Sequence, residues 1–258
     1  MTLIQSIPEK PKNSYDPVTV IQVLRVAESY LNHSDRLIYS YGSKTFLSGY
    51  QLFDPEYGGK GNIDCSTFIL LVLAGIPYED SPYNTGKVND IKLRPFIDMQ
   101  FTCFSQIPEK YLSIAERIGI PEIAGPKGLD LEKAAAMGIS NEQLMSKIKS
   151  TGMTRRTVEL ARHFHEKGEL FLDPDSLMPG DIVFYQADNF FLNPEQKKEN
   201  PLEVTHVGIV SIDTELMINS SGYYSKERAK EKGLAAVSLS PIVGKRQPVF
   251  FARPGYRA

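Results

Sequence analysis

The stretch KGNIDCSTFILLVLAG, residues 60–75, places a cysteine where a glycine-containing loop turns into a strongly apolar segment. The apolar run predicts a buried helix that begins near Cys65 and ends at about Gly75. A thiol in the first turn of a helix lies near N–H groups that lack partners within the helix, and these groups favour the nucleophilic thiolate. The same position also suits a small core residue, because cysteine packs well in apolar interiors.

Upstream of this stretch, residues 17–33 carry apolar residues at helical spacing. Asp16 is a suitable N-cap and Pro17 suits the first helical position, so a helix is predicted to begin there. Residues 1–16 are polar and contain proline, and they are interpreted as an N-terminal arm. Residues 38–64 are rich in glycine and tyrosine and are interpreted as a loop.

The last third of the chain has the pattern of an antiparallel sheet. A helix is predicted over residues 154–168, and after it short apolar segments alternate with turn residues. The predicted strands cover residues 179–185, 204–213, 215–221, 235–240 and 248–254. Helices that precede antiparallel strands indicate an α+β domain.

The composition narrows the possible functions. The chain has 258 residues, of which 29 are basic and 31 acidic, and its formal net charge is −2. A nucleic-acid partner usually leaves a basic stripe, and the sequence shows none. No apolar run approaches the roughly 20 residues of a membrane span, and no secretory signal is visible. A cytoplasmic location is therefore expected as encoded, with export by another route or a removed signal as the alternatives.

The cysteines and the possible metal ligands are few. Cys65 and Cys103 are the two cysteines, which are too few for a disulfide framework, and both are expected to be reduced thiols. No grouping of His, Cys and carboxylate residues has metal-ligand spacing, and no glycine-rich phosphate loop follows a strand. The sequence therefore predicts a protein without a metal or another cofactor.

A thiol nucleophile needs a base, which is usually a histidine that the fold brings close. The sequence has four histidines. His33 lies at a helix end, and His163 and His165 lie two apart on a predicted helix and point to different faces. His206 instead lies in the almost wholly apolar segment EVTHVGIVSI, where a buried imidazole needs a partner. It is either a catalytic base or a structural histidine.

Asn219, in LMINSSG, is a second polar side chain inside an apolar strand. If its strand forms a hairpin with that of His206 and turns at Asp213-Thr214, His206 lies opposite Ser221. Asn219 is then a diagonal neighbour of His206 on the same face, whereas a shift of one residue would place it on the other face. Its amide oxygen could accept the imidazole N–H and fix the tautomer, or the amide could serve the turn.

Together these residues resemble the NlpC-type family of papain-like cysteine peptidases, which cut bacterial cell-wall peptides. The matching motifs are, in chain order, Asp64-Cys65-Ser66 at a helix start, Pro179-Gly180-Asp181 before a strand, the strand from His206 to Ile209, and Asn219 on the next strand. The closing segment VFFARP also resembles the family's last strand. Each motif is weak by itself, and their common order is the specific feature. The matched pieces cover about residues 17–76 and 154–254.

The resemblance implies a papain-like α+β core, in which N-terminal helices pack on a C-terminal antiparallel sheet and the nucleophile lies at a helix N-terminus. It implies that Cys65 attacks a peptide carbonyl, that His206 acts as the base and that Asn219 orients the histidine. Substrates in the family are often short murein-derived peptides that contain D-glutamyl and diamino-acid units. The resemblance also implies that Asp64, Ser66 and an upstream tyrosine hold the substrate.

Two features near the cysteine depart from the family pattern. Thr67 stands where the family usually has glycine after Asp-Cys-Ser, and its side chain adds bulk to the helix. The upstream tyrosine has two candidate segments, which are IYSYG, with Tyr39, and EYGG at residues 56–59. Neither segment has the usual spacing to the cysteine, and Tyr39 is the candidate adopted.

A third departure is the length of residues 77–153, which exceeds the family's usual connection. This segment is interpreted as an inserted, mainly helical cap beside the active-site groove, or else as a surface addition. Within it, SNEQ at residues 140–143 predicts a helix start through a capping box. The peptidase-like domain, with this insertion, is expected to span residues 17–258.

Three functions fit these observations. The first is a cysteine peptidase that cleaves peptides of bacterial peptidoglycan, and the second is an amidase or acyltransferase on the same core. The third is a wall-binding or interaction protein that keeps the scaffold without catalysis. The complete Cys–His–Asn set favours an enzyme, because a degenerate relative usually loses one member. Several scissile bonds fit the sequence equally well, and so do free peptides and intact wall as substrates and different oligomeric states.

Overall fold

The fold is described from a computed structural model. It describes residues 6–39, 53–54, 59–87, 93–99, 115–116, 118–125, 128–140, 143–144, 147, 156–186, 202, 204–221, 236–244 and 246–257. Helices and an antiparallel sheet combine in a mixed α+β fold, as the sequence predicts. None of the helices in these ranges is long and apolar enough to cross a bilayer.

In chain order, the α-helices of the described ranges are α1, Pro17–Asn32; α2, Cys65–Leu73; α3, Pro82–Thr85; α4, Leu131–Ala136; and α5, Arg156–Glu166. Short 3-10 turns cover Ser34–Arg36, Tyr78–Asp80, Pro121–Ile123 and Pro174–Ser176. The strands are β1, Leu37–Tyr39; β2, Phe53–Asp54; β3, Lys60–Ile63; β4, Ala124–Gly125; β5, Gly128–Leu129; β6, Leu170–Phe171; β7, Ile182–Tyr185; β8, His206–Val210; β9, Leu216–Ser220; β10, Val237–Pro241; and β11, Pro248–Ala252.

The main sheet has six strands in the order β10-β9-β8-β7-β11-β6. Every neighbouring pair in it is antiparallel. Strands β7 to β11 correspond to the five strands predicted from sequence, each shorter than its predicted segment, and β8 is only half as long. A second sheet has the order β1-β3-β2, and β4 pairs with β5.

Helices α1 and α2 form where their caps and apolar residues predict them. The Asp16 carboxylate accepts a backbone N–H of the first turn of α1, and Pro17 at the first position needs no acceptor. Every residue of α2 is buried, and the chain leaves the helix at Gly75, whose φ of +69° is accessible to glycine. Tyr30 of α1 packs edge-on against Phe68 of α2, with ring centroids 5.9 Å apart.

The six-stranded sheet has two faces, which alternate residues of β7 distinguish. Ile182 and Phe184 belong to the main apolar core together with residues of α1, α2 and α5, and this side is the helix face. Val183 and Tyr185 belong to a smaller apolar core on the other side, which is the outer face. Successive side chains of a strand point to opposite faces, so each residue of the sheet can be assigned to one of them.

The interpretation of residues 38–64 as a loop is wrong in part. Strands β2 and β3 and most of β1 lie within this range, and β1 pairs in parallel with β3, with Leu37 opposite Gly61. A Cβ at Gly61 would come 2.5 Å from Cδ1 of Tyr83, so glycine is required there by close packing. The glycine content therefore marks a close contact at this position and not a turn.

A buried ion pair, the Asp181–Arg253 cluster, joins β7 to the end of β11. Arg253 donates to Asp181 through Nε at 2.9 Å and through Nη2 at 2.7 Å. The Met178 N–H also donates to the carboxylate, at 2.9 Å, and Arg253 Nη2 donates to the Ser176 carbonyl at 2.6 Å. Asn13, in the predicted N-terminal arm, donates to the Arg253 carbonyl at 2.8 Å, so the arm is fixed to the sheet.

Part of the segment 77–153 lies within the described ranges and has a small apolar core of its own. The predicted capping box is confirmed, because the Ser140 N–H donates to Gln143 Oε1 at 3.0 Å and the Gln143 N–H donates to the Ser140 hydroxyl at 3.2 Å. Besides short helices, the described part contains the β4–β5 pair. Its role as a cap remains a prediction.

Candidate active site

Cys65 is the first residue of α2 and lies where this helix meets strand β8. Its side chain is largely buried, with 6% of the residue exposed, and it forms no disulfide. The thiol lies 4.0 Å from the carbonyl oxygen of Thr205, the residue before His206. The second cysteine, Cys103, lies outside the described residues.

Asp64 fixes the start of α2, and with it the position of the thiol. Its Oδ1 accepts the Thr67 N–H at 2.7 Å and the Ser66 hydroxyl at 2.8 Å, and its carbonyl accepts the Phe68 N–H at 2.9 Å. Asp64 and Ser66 are thus part of the helix cap. Their contact with substrate, which the resemblance implies, stays a prediction. The Thr67 side chain, the departure from the family pattern, is buried in the core.

His206 is the first residue of β8 and is buried on the outer face. It lies opposite Tyr185 of β7, and the two ring centroids are 5.8 Å apart. The hairpin of β8 and β9 has the predicted register, because Ile209 pairs with Ile218, and the same register continued places His206 opposite Ser221. The polar residue in an apolar strand therefore marks a buried polar contact, as the sequence predicts.

Asn219 contacts His206 through its side-chain amide. The distance from His206 Nε2 to Asn219 Oδ1 is 3.1 Å, and Asn219 is fully buried. Asn219 Nδ2 donates to the Ser238 carbonyl at 3.3 Å and to Ser240 Oγ at 3.1 Å, and a carbonyl can only accept, so the oxygen must face the histidine. Nε2 therefore donates, and the lone pair of the neutral imidazole is on Nδ1.

Gly208 makes room for this contact. It lies between His206 and Val210 on the outer face of β8, beside β9. A Cβ at Gly208 would lie 2.6 Å from the sulfur of Met217 and 3.2 Å from Cβ of Asn219. The glycine of the HVGI segment thus lets Asn219 approach the strand of the histidine closely.

His206 is neutral at pH 7 in this environment. Burial lowers its pKa from 6.5 to about 4, and the positive charge of Arg246 lowers it in the same direction. The hydrogen bond that His206 donates to Asn219 and the negative charge of Asp64 act in the opposite direction. A neutral imidazole with its lone pair on Nδ1 can accept a proton, which is what a general base requires.

Arg246 is a residue near the site that the sequence reading missed. It lies in the connection between β10 and β11, and the hydroxyl of Tyr185 donates to the Ile242 carbonyl of this connection at 2.8 Å. Its charge also lowers the pKa of Tyr185, which burial otherwise raises. Because the residue lies far from His206 in sequence and carries no local motif, only the sheet order reveals its position.

Tyr39, the predicted upstream tyrosine, is brought close to the cysteine by the second sheet. It is the last residue of β1 and pairs with Ile63 of β3, two residues before Cys65. Tyr39 is partly buried and packs against the main core. The alternative segment, EYGG at residues 56–59, lies outside the described residues except for Gly59.

No group of His, Cys, Asp and Glu residues that could hold a metal ion occurs in the described part of the chain. The chain matches no family model, no curated protein and no solved structure. The chemistry of the site is therefore inferred from its own geometry. That geometry combines a helix-terminal thiol, an adjacent strand that begins with a neutral histidine, and an amide that fixes its tautomer.

Proposed function

We propose that the protein is a cysteine peptidase with Cys65 as nucleophile, His206 as general base and Asn219 as the residue that positions the histidine. The observation that carries the proposal is the hydrogen bond between His206 Nε2 and Asn219 Oδ1, in a strand whose preceding carbonyl lies 4.0 Å from the thiol. This hydrogen bond fixes the tautomer that leaves the lone pair on Nδ1, which is the role of the third member in a catalytic triad.

In this mechanism His206 Nδ1 takes the proton of the Cys65 thiol as the sulfur attacks a peptide carbonyl. The new S–C bond gives a tetrahedral intermediate, which collapses with cleavage of the C–N bond. The imidazolium gives its proton to the leaving amine, and the product is a thioester on Cys65. A water molecule, deprotonated by His206, then hydrolyses the thioester and restores the thiol.

The proposed fold is a papain-like core, and the proposed substrates are peptides derived from bacterial peptidoglycan. Both are implied by the resemblance to NlpC-type peptidases, which rests on the order of the four motifs around Asp64-Cys65-Ser66, Pro179-Gly180-Asp181, His206 and Asn219. Asp64, Ser66 and Tyr39 are the proposed substrate-holding residues. Tyr39 and the helix cap lie next to one another through the pairing of β1 with β3, which supports this assignment.

The first experiment measures alkylation of the thiol by iodoacetamide as a function of pH in the wild type and in the variants Cys65→Ala and His206→Ala. Wild-type Cys65 is expected to react with an apparent pKa below the ~8.5 of an ordinary thiol, because the N-terminus of α2 and the imidazolium formed by transfer of its proton to His206 both stabilise the thiolate. Cys65→Ala should remove the reaction at this site, and His206→Ala should slow it and move its midpoint upward. An ordinary or inert thiol in the wild type would contradict the enzyme proposal and favour a binding protein.

The second experiment offers the protein soluble muropeptides and identifies the products by mass spectrometry. Cleavage of a peptide bond with release of a free amine is expected in the wild type and should be absent in Cys65→Ala. Transfer of the acyl group to an added amine would instead identify an acyltransferase, and cleavage at the sugar–peptide amide would identify an amidase. The retained fold of Cys65→Ala is checked by its melting temperature, since the change removes little volume.

A further inference from the structure

Two buried side-chain polar atoms have no hydrogen-bond partner in the described part of the chain, and both flank strand β8. They are Gln186 Nε2, directly after β7, and Ser220 Oγ, at the end of β9. A buried donor without an acceptor costs free energy, so folding alone gives no reason to keep it. Such groups are often retained at sites where a ligand or reacting group completes the hydrogen bond.

The alternation of β7 assigns Gln186 to the face of the sheet that carries the nucleophile helix. Ile182 and Phe184 lie in the same apolar core as Cys65 and Phe68. Gln186 is the next residue in this alternating series, so its side chain belongs to the helix face. Tyr185, by contrast, packs on the outer face.

The register of β7 and β8 places Gln186 at the end of the sheet where the thiol lies. Tyr185 pairs with His206, so Gln186 lies across from Thr205, and the Thr205 N–H donates to the Tyr185 carbonyl at 2.8 Å. Opposite residues of an antiparallel pair are roughly 5 Å apart, and the thiol is 4.0 Å from the Thr205 carbonyl. The amide of Gln186 is therefore within a side-chain length of the space beside the thiol.

From this placement we propose that Gln186 is a catalytic residue whose side-chain N–H donates to the oxyanion formed when Cys65 attacks a carbonyl. The inference rests on the proposed peptidase function and extends it. As the S–C bond forms, the electron pair of the C=O double bond moves to oxygen, and Gln186 Nε2 donates to this oxygen. When the intermediate collapses, the pair returns to the double bond and the C–N bond breaks, with the proton supplied by His206.

An amide N–H group that has no acceptor among the described residues before the reaction is suited to this role. It has no existing hydrogen bond to break, and its dipole is already held in a largely water-free place, so it stabilises the developing charge without rearrangement. Ser220 is the matched control, because its whole side chain is buried and out of reach of a substrate, whereas Gln186 as a residue is partly exposed.

The test compares Gln186→Leu, which keeps the approximate shape and removes the donor, with Ser220→Ala, which removes the other unpartnered atom. For Gln186→Leu, kcat for muropeptide hydrolysis should fall about 10²–10³-fold, as after loss of one oxyanion donor. Its alkylation by iodoacetamide should stay at the wild-type rate, because that substitution at carbon forms no oxyanion. Its melting temperature should rise or stay constant. Ser220→Ala should keep wild-type hydrolysis and alkylation.

A peptide aldehyde tests the inference separately from the proposed function. N-acetyl-alaninal adds reversibly to a thiol to give a tetrahedral adduct, so it should protect Cys65 from alkylation in the wild type. The protection should require at least about tenfold more aldehyde in Gln186→Leu. Equal protection in both proteins, no protection in the wild type, or loss of alkylation in Gln186→Leu would overturn the role of Gln186. Protection without any hydrolysis of muropeptides would instead refute only the proposed substrate.

Discussion

The Asp181–Arg253 cluster and the His206–Asn219 pair are both polar groups buried in the same sheet, and they differ in how far their hydrogen bonds are satisfied within the protein. Both oxygens of Asp181 accept hydrogen bonds, from Arg253 and from the Met178 N–H. The imidazole of His206, in contrast, makes one hydrogen bond within the described residues, through Nε2. The first cluster is closed, whereas the second leaves Nδ1 available.

The number of satisfied hydrogen bonds distinguishes a structural polar group from a reactive one more reliably than burial does. Asp181 and His206 are 1% and 6% exposed, and each is a polar residue at the start of an apolar strand. Burial is thus nearly the same for the two, and so is their sequence context. A closed ion pair fixes the positions of β7, β11 and the N-terminal segment. A histidine whose Nδ1 has no hydrogen-bond partner among the described residues can instead accept a proton from a reacting group.

The largest expected effect on stability comes from removing one charge of the Asp181–Arg253 cluster. Asp181→Asn removes the negative partner of a buried guanidinium and should lower the free energy of unfolding by about 3–5 kcal/mol. Urea denaturation of the variant and the wild type measures the loss. At temperatures where the variant is folded, alkylation of Cys65 should proceed at the wild-type rate, because the cluster takes no part in the chemistry.

The matched control for this prediction replaces both charges, as Asp181→Leu with Arg253→Met. Apolar residues of similar size need no compensation, so the double variant should recover most of the lost stability. If Asp181→Asn reduced the thiol reactivity of the folded protein as well, the cluster would belong to the active site and the comparison would fail.

The sequence predicted those parts of the fold and the site whose causes are local. The start of α1 follows from Asp16 and Pro17, and the register that joins His206 to Asn219 follows from a turn between adjacent strands. These features depend on neighbours within a few residues or across one hairpin, so they can be predicted from the residue pattern.

The features that the sequence reading missed depend on the path of the chain between distant segments. The segment that contains β1 and β3 was interpreted as a loop, because a glycine such as Gly61 gives no strand signal. In the structure this glycine is required by the close contact with Tyr83. Arg246, which acts on the pKa of His206, and Gln186, which the inference places beside the thiol, are brought to this part of the molecule by the neighbouring positions of β11, β7 and β8 in the sheet. No spacing in the sequence encodes that order of strands.

The second prediction weakens the positioning of the open histidine without removing it. Asn219→Ala leaves the Nε2–H of His206 without its acceptor, so the ring can adopt other orientations and tautomers. Hydrolysis should fall by up to about 100-fold, because catalysis is sensitive to small misplacements of a reacting group. The loss should stay below that of His206→Ala, and steady-state kinetics of both variants checks the order. Equal losses would contradict the subordinate role of the asparagine.

The third prediction concerns Gly208 of β8, which lets Asn219 of β9 approach closely. Gly208→Ala places a methyl group 3.2 Å from Cβ of Asn219 and 2.6 Å from the sulfur of Met217. The strain should lower the free energy of unfolding by about 1–3 kcal/mol, and the displaced amide should slow hydrolysis. As a control, Gly244→Ala adds a methyl group where no atom lies within 4 Å and should leave both quantities unchanged. A fully active, stable Gly208→Ala would show that Asn219 needs no close approach.

The smallest expected effect is on the proton equilibrium of His206, and Arg246 controls part of it. The folded pKa of about 4 lies below the unfolded value of 6.5. As the pH falls from 6.5 towards 4, the unfolded state binds a proton that the folded state does not, so His206 reduces stability by up to about 3 kcal/mol across this window. Among the described residues, the charges that act on the ring are those of Arg246, which lowers its pKa, and Asp64, which raises it, while Asn219 and Tyr185 are neutral there.

Arg246→Gln removes a positive charge that opposes protonation, so the folded pKa of His206 should rise towards 6.5. Less stability is then lost on acidification, and the advantage of the variant over the wild type should appear between pH 6.5 and pH 4 and vanish at pH 7 and above. Urea denaturation across this range measures it. Arg25→Gln on α1 also removes an exposed positive charge and should follow the wild-type curve. If the curve of Arg246→Gln also runs parallel to the wild-type curve, the charge of Arg246 does not act on the histidine. The low pKa of His206 would then be due to burial of the imidazole alone, and the packing around the His206–Asn219 pair would set its protonation instead of a nearby charge.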